Sequence, residues 1–146
     1  MRIENIELYY LSMPEILDEA DGSQDALIVR VDGGGHTGWG ECEASPLTSI
    51  ANFICPKSHS AAKPIRESII DRELNDLNDV KKISYDVKQN SLMIAQTPHT
   101  YSGIEIAILD LLGKKNQCPI FELLGYKKSV PKIAYASVLF GKSPSE

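Results

Sequence analysis

The sequence predicts an α+β fold: a three-stranded antiparallel meander, then a helical bundle, then one strand of another kind near the carboxyl end. Three observations carry this. Alternating or β-branched runs separated by turn residues occupy residues 2–43, and apolar residues at helical spacing occupy residues 65–115. A β-branched run, Val130-Pro-Lys-Ile-Ala-Tyr-Ala-Ser-Val-Leu139, then follows the last helix. A helix, a helical turn and such a strand, in that order, look like the entrance to an α/β barrel, yet the sequence ends at Glu146.

Residues 2–10 set Ile3, Ile6 and Leu8 against Glu4, Asn5 and Glu7, which reads as a first strand. A long polar segment, residues 11–25, follows with Pro14, Gly22 and the acidic Glu15, Asp18, Glu19 and Asp21. Loops of that length in compact domains are often functional or disordered. Ala26-Leu-Ile-Val-Arg-Val-Asp32 and Thr37-Gly-Trp-Gly-Glu-Cys-Glu43 read as strands joined by Gly33-Gly-Gly35, a glycine hairpin. The first strand is expected to complete a meander with them, since two strands alone are marginal.

A second irregular segment spans residues 44–63, with Pro46, Pro56 and the polar Ser58-His59-Ser60. Pro64 suits the first turn of a helix whose apolar face is Ile65, Ile69 and Leu74. Asn78 is the expected N-cap of the next helix, with Val80, Ile83, Val87 and Ile94 on one side and Thr97-Pro98 as its end. Ser102 and Glu105 match a capping box that opens an almost wholly apolar helix, Ile104 to Leu112, closed by Lys114 and Lys115 at the negative end of its dipole. That helix carries more apolar surface than a small sheet and two amphipathic helices would cover. Pro119 begins, and Gly125 ends, a last short helical turn.

Composition bounds the function. The 146 residues suit one ordinary domain, well short of the ~250 of a complete (β/α)8 barrel. A net charge of −5 without a basic tract argues against nucleic acid or an anionic membrane as partner. Cys42, Cys55 and Cys118 are odd in number and unpaired in spacing, so they frame neither disulfides nor a zinc site, and a reducing cytoplasm is the expected compartment. No apolar run approaches the ~20 residues of a membrane span.

The glycines of residues 33–40 join two strands and lack a following GK[ST], so they make a hairpin and no phosphate loop. Trp39 is expected to pack from the sheet onto the helices. Glu41 and Glu43 share one face of their strand, but no third oxygen ligand accompanies them, and a solvated face is the plainer reading. Glu43 stands where the strand empties into the second irregular segment. His59, between two serines, and Asp21, in the first segment, are the other loop residues placed to touch a ligand. No catalytic centre can be assembled from these residues alone.

Taken in order, Ala26-Leu-Ile-Val-Arg-Val, Gly38-Trp-Gly-Glu41, Ser102-Gly-Ile-Glu-Ile-Ala-Ile-Leu-Asp-Leu-Leu-Gly-Lys114, Pro119-Ile-Phe-Glu-Leu-Leu-Gly125 and Val130-Pro-Lys-Ile-Ala-Tyr-Ala-Ser137 resemble the amino-terminal part of the enolase superfamily, in its mandelate racemase/muconate lactonizing branch. The resemblance covers nearly the whole chain. It implies a capping domain over residues 1–125, then a linker and the first barrel strand over 126–146. It also implies that residues 12–25 and 44–60 close over the barrel mouth and set specificity. Asp21, Glu43, His59 and Ser137 are then the expected substrate-binding residues. The lysine bases and the three acidic Mg²⁺ ligands of the family would fall beyond Glu146. This chain is therefore expected to hold no metal or catalytic residue, while the intact enzyme would use Mg²⁺ to abstract the α-proton of a small carboxylate substrate. The acidic first loop and the Ser-His-Ser segment favour a hydroxy-acid or sugar-acid. A rival expectation is a non-catalytic domain acting through a homo-oligomer or a partner protein, using the 104–112 helix and the 131–139 strand.

Overall fold

The computed structural model describes residues 1–15, 25–42, 45–128 and 130–134. Three strands, β1 (Asn5–Leu11), β2 (Ala26–Gly33) and β3 (His36–Cys42), form one antiparallel sheet in the order β1-β2-β3, the meander expected from the sequence. Register runs from Asn5↔Asp32 to Leu11↔Ala26, and from Leu27↔Cys42 to Gly33↔His36. Gly34 and Gly35 make the two-residue turn at φ of 57° and 77°, the left-handed region that a tight hairpin requires.

β1 begins later than the alternation suggests because the first residues serve another partner. Ile3 N–H donates to Arg72 O at 2.9 Å, Asp71 N–H to Ile3 O at 2.9 Å, and Leu74 N–H to Met1 O at 2.8 Å. These bonds keep residues 72–74 extended, so the expected helix from Pro64 shrinks to a single 3-10 turn, Ile65–Ser68, with Asp71 at φ 64° beyond it. Ile65, Ile69 and Leu74 are nevertheless wholly buried.

Among the described residues, four α-helices complete the fold. The segment read as irregular holds α1 (Pro46–Ile54), with Pro46 in its first turn. α2 (Leu77–Asn90) is capped by Asp76, whose carboxylate accepts from Asn78 N–H at 2.8 Å and Asp79 N–H at 3.2 Å; Asn78 itself lies inside the helix. α3 (Thr97–Asn116) starts at Thr97, so Pro98 opens this helix and does not close the preceding one. The Ser102/Glu105 capping box does not form: Ser102 already lies a turn inside, and its hydroxyl donates to His99 O at 2.7 Å. α4 (Ile120–Leu123) is the short turn between Pro119 and Gly125.

α3 lies across β3 and β2, and α1, α2 and α4 pack around it. Ile104, Ala107, Ile108, Leu111 and Leu112 are fully buried against Leu27, Val29 and Val31. The surplus apolar surface expected on this helix reduces to Ile106, half exposed, because the sheet and the other helices cover the rest. The contact of α3 with β3 is backbone to backbone. A Cβ at Gly38 would stand 2.0 Å from Ala107 O, and one at Gly40 2.1 Å from Gly103 O. The Gly-Trp-Gly motif is thus a docking groove for a helix. Trp39 points the other way, exposed on the outer face, with its ring 6.1 Å from that of Tyr9; the expectation that it packs on the helices is corrected.

Residues 130–134 are exposed and pair with no strand, and the rest of the expected 131–139 strand lies outside the described residues. Among the described residues no helix is long and apolar enough to cross a membrane.

Candidate functional site

The strand register brings two connecting segments to one end of the sheet. Leu11 pairs with Ala26, and Leu27 with Cys42, so the β1–β2 segment and the chain leaving β3 both depart from that end. The glycine hairpin occupies the opposite end.

At its two ends the β1–β2 segment is tied down by Asp25. That carboxylate accepts from the Tyr10 hydroxyl and from Met13 N–H at 2.7 Å. The Tyr10 bond, then the Met13 bond, hold the Asp25 carboxyl below its ordinary value, and the same pairing raises the Tyr10 phenol. Asp25 was not among the residues singled out in the sequence. Its place one residue before a strong strand, across from an alternating one, is the signal that could have found it.

The chain leaving β3 enters α1, which is anchored by a buried polar network. Asn52 Nδ2 donates to Ala95 O at 3.1 Å and to Thr97 Oγ1 at 3.2 Å. Thr97 Oγ1 donates to Ser91 O at 3.0 Å and Ile94 O at 2.9 Å, and Thr100 Oγ1 to Ser49 Oγ at 3.0 Å. Buried polar groups joined in this way fix one arrangement, because any shift leaves a member unpaired. Phe53 adds apolar anchorage on the same side. Leu47, Ala51 and Ile54 occupy the opposite, exposed side of α1. The second segment therefore displays apolar side chains as well as the polar Ser-His-Ser stretch.

His59 lies beyond α1, exposed, with Nδ1 2.8 Å from Ser58 Oγ and Nε2 3.2 Å from Met93 Sδ. A short bridge, His59 to Ala62, fixes its backbone. Of the four residues expected to touch substrate, His59 alone is described; Asp21, Glu43 and Ser137 lie outside the described residues. Among the described residues, no three His, Cys, Asp or Glu side chains converge as metal ligands.

The comparisons with known proteins agree with this architecture. The family model of the mandelate racemase/muconate lactonizing enzyme N-terminal domain matches residues 17–125. A predicted mandelate racemase from Rhodobacter sphaeroides superposes with a TM-score of 0.83 at 52% identity, over 86% of this chain and 32% of that one. A mandelate racemase/muconate lactonizing enzyme-like protein from Rubrobacter xylanophilus DSM 9941 gives 0.58 at 25% identity, over 85% of this chain and 27% of that one. The chain thus spans about a third of the length of the solved structures it matches. No curated protein matches it. The sheet order, the helices that follow it and the matched residues together place this chain in the mandelate racemase/muconate lactonizing enzyme family, as its N-terminal domain.

Proposed function

We propose that the chain is the specificity-setting cap of an enzyme that abstracts the α-proton of a small carboxylate substrate with Mg²⁺, as a racemase, sugar-acid dehydratase or cycloisomerase. The observation that carries this reading is the convergence of both connecting segments at one end of the sheet, one tied by Asp25 and the other held through α1 and Asn52. A cap needs such a base: adaptable segments must be presented from rigid anchors if they are to shape a pocket.

In this reading residues 1–125 form the cap and residues 126–146 lead into the first strand of a barrel. Asp21, Glu43 and His59 face the substrate from the cap, and Ser137 meets its carboxylate from the barrel side. In this reading the metal and the bases belong to the barrel, and no chemical step is assigned to this chain.

Deuterium exchange at the α-carbon tests the division of labour. The 146-residue chain, given Mg²⁺ and a panel of 2-hydroxy carboxylates in D₂O, is expected to leave every α-proton in place. Exchange by this chain alone would put a catalytic base among its own residues and overturn the reading. In an enzyme carrying this cap on a barrel, His59→Ala is expected to raise KM for the preferred carboxylate while sparing the fold. An unchanged KM removes His59 from the substrate site.

A further inference from the structure

We infer that β1 is an association edge and that its occupant is β1 of a second copy of this chain, paired antiparallel about a two-fold axis at Leu8. Main-chain direction identifies the groups involved. Asn5 lies opposite Asp32, and Glu4 N–H also donates to Asp32 O at 2.8 Å. Two residues thus face one, a bulge, and this is why Ile3 and Ile6 are both buried although three apart. The Asp32 carbonyl points toward β1, so Asp32 and every second residue of β2 turn their main-chain groups that way. Thr37 and Trp39, opposite Asp32 and Arg30, accordingly turn theirs away from β2, where α3 meets them: Trp39 N–H reaches Asp110 and Thr37 O accepts from Lys114, both at 2.8 Å. On β1 the same alternation turns Asn5, Glu7, Tyr9 and Leu11 inward and leaves Ile6, Leu8 and Tyr10 facing outward.

That outward row has two ends. Ahead of the bulge, residues 72–74 already pair with the chain, Ile3 N–H donating to Arg72 O. Beyond Leu11 the chain turns in to Asp25 through Met13 N–H. Between these limits, among the described residues, nothing hydrogen-bonds the N–H or C=O of Ile6, Leu8 or Tyr10. An unpaired edge is a template for another strand. Tyr9, Tyr10 and Leu11 are exposed beside it, and the one charge on the strand, Glu7, is offset by Arg30 at 3.2 Å. β1 itself fits the row. With Leu8 opposite Leu8 of the second copy, Ile6 falls opposite Tyr10 and Tyr10 opposite Ile6, and each pair exchanges both main-chain bonds. The same register sets Glu7 of one copy beside Tyr9 of the other, a pairing of carboxylate and hydroxyl that also occurs within the chain. A slip of two residues in either direction loses a bonded pair, and in one direction it opposes Glu7 to Glu7. The result is one continuous sheet from two three-stranded ones. Neither connecting segment nor His59 takes part, so this edge and the cap reading stand or fall separately.

Sedimentation equilibrium of the 146-residue chain tests the edge. The mass is expected to rise with concentration from one copy to two and no further. Tyr10→Pro removes one outward donor from each copy and leaves the bonds to β2 in place. It should weaken association by at least about tenfold with the far-ultraviolet spectrum unchanged, whereas Tyr10→Phe should associate like the unaltered chain. If Tyr10→Pro does not fold, Leu8→Cys decides. The axis sets its two Cα atoms about 5.5 Å apart, within disulfide reach, so mild oxidation should give a cross-linked dimer that the unaltered chain does not form. Association undiminished in a folded Tyr10→Pro, assembly beyond two copies, or Leu8→Cys that fails to cross-link would each overturn the inference. So would a chain that stays single at every concentration, which would leave the edge to a strand of other sequence.

Discussion

The two faces of the sheet are held by opposite means. On the inner face of β3 the residues are Gly38, Gly40 and Cys42, and α3 lies directly against their backbone. On the outer face Glu7, Tyr9, Arg30, Asp32 and Trp39 interact through side chains. Arg30 reaches Glu7 at 3.2 Å and Asp32 at 3.1 Å, and Thr37 donates to Asp32 at 2.5 Å. One face depends on atoms that are missing, the other on atoms that are present. The inner face should therefore tolerate almost no addition, and the outer face should tolerate most removals.

The largest break is expected from Gly38→Ala or Gly40→Ala. Each methyl group would enter the backbone of α3 and should cost about 3–5 kcal/mol, read from urea unfolding. Gly35→Ala, where nothing lies within 4 Å and only a φ of 77° opposes the side chain, should cost about 1 kcal/mol. Similar losses at Gly38 and Gly35 would refute the backbone contact.

Alkali should come next, and it should act on the inner face. Burial raises the Cys42 thiol to about 11 from its ordinary 9.0. The folded chain thus favours the neutral thiol. Its contribution is complete below pH 9 and is lost as pH rises toward 11, a fall of roughly 2 kcal/mol. Cys42→Ala should flatten the melting temperature across that window. Acid should act on the outer face. The Tyr9 hydroxyl, helped by Arg30, holds the Glu7 carboxyl below its ordinary 4.5, so that contribution is present above pH 4.5 and disappears as pH falls below it. Glu7→Gln should remove a small acid-dependent component and leave the alkaline limb unchanged.

The smallest effect is expected from Trp39→Ala, about 0.5–1 kcal/mol, from loss of the tilted aromatic pair with Tyr9. A loss as large as that at Gly38 would mean that the outer face is structural too, and would end the contrast.

The hairpin, the lysines closing α3 and the last turn from Pro119 to Gly125 were legible because each depends on local chemistry. The faces of β3 were not. Periodicity assigns the bulky residue of an alternating pair to the interior, yet here the interior belongs to the glycines, because a helix backbone needed the space. α1 escaped for another reason. Pro46 with Leu47, Ile50 and Ile54 is a helical signal, but a further proline, Pro56, and a polar stretch dilute it. The start of α3 was displaced by six residues because the pairing of Ser102 with Glu105 imitates a cap inside a continuing helix. Asp76 outcompeted Asn78 as a cap because one of its carboxylate oxygens accepts from two amides. At the candidate site the two segments were visible from length and polarity. The Asn52 network was not, since it joins residues more than forty positions apart.

One contact changes the standing of β3 as the rim of a sheet. Trp39 N–H donates to Asp110 of α3 at 2.8 Å, while Lys114 donates to Thr37 O at 2.8 Å and pairs with the same Asp110 at 2.8 Å. A helix thereby satisfies two main-chain groups that an adjoining strand would otherwise take, which blunts this border against strand addition. In the language of hydrogen exchange, the amide of Trp39 should exchange slowly, as though it lay inside the sheet, and Asp110→Ala should release it while interior amides keep their protection.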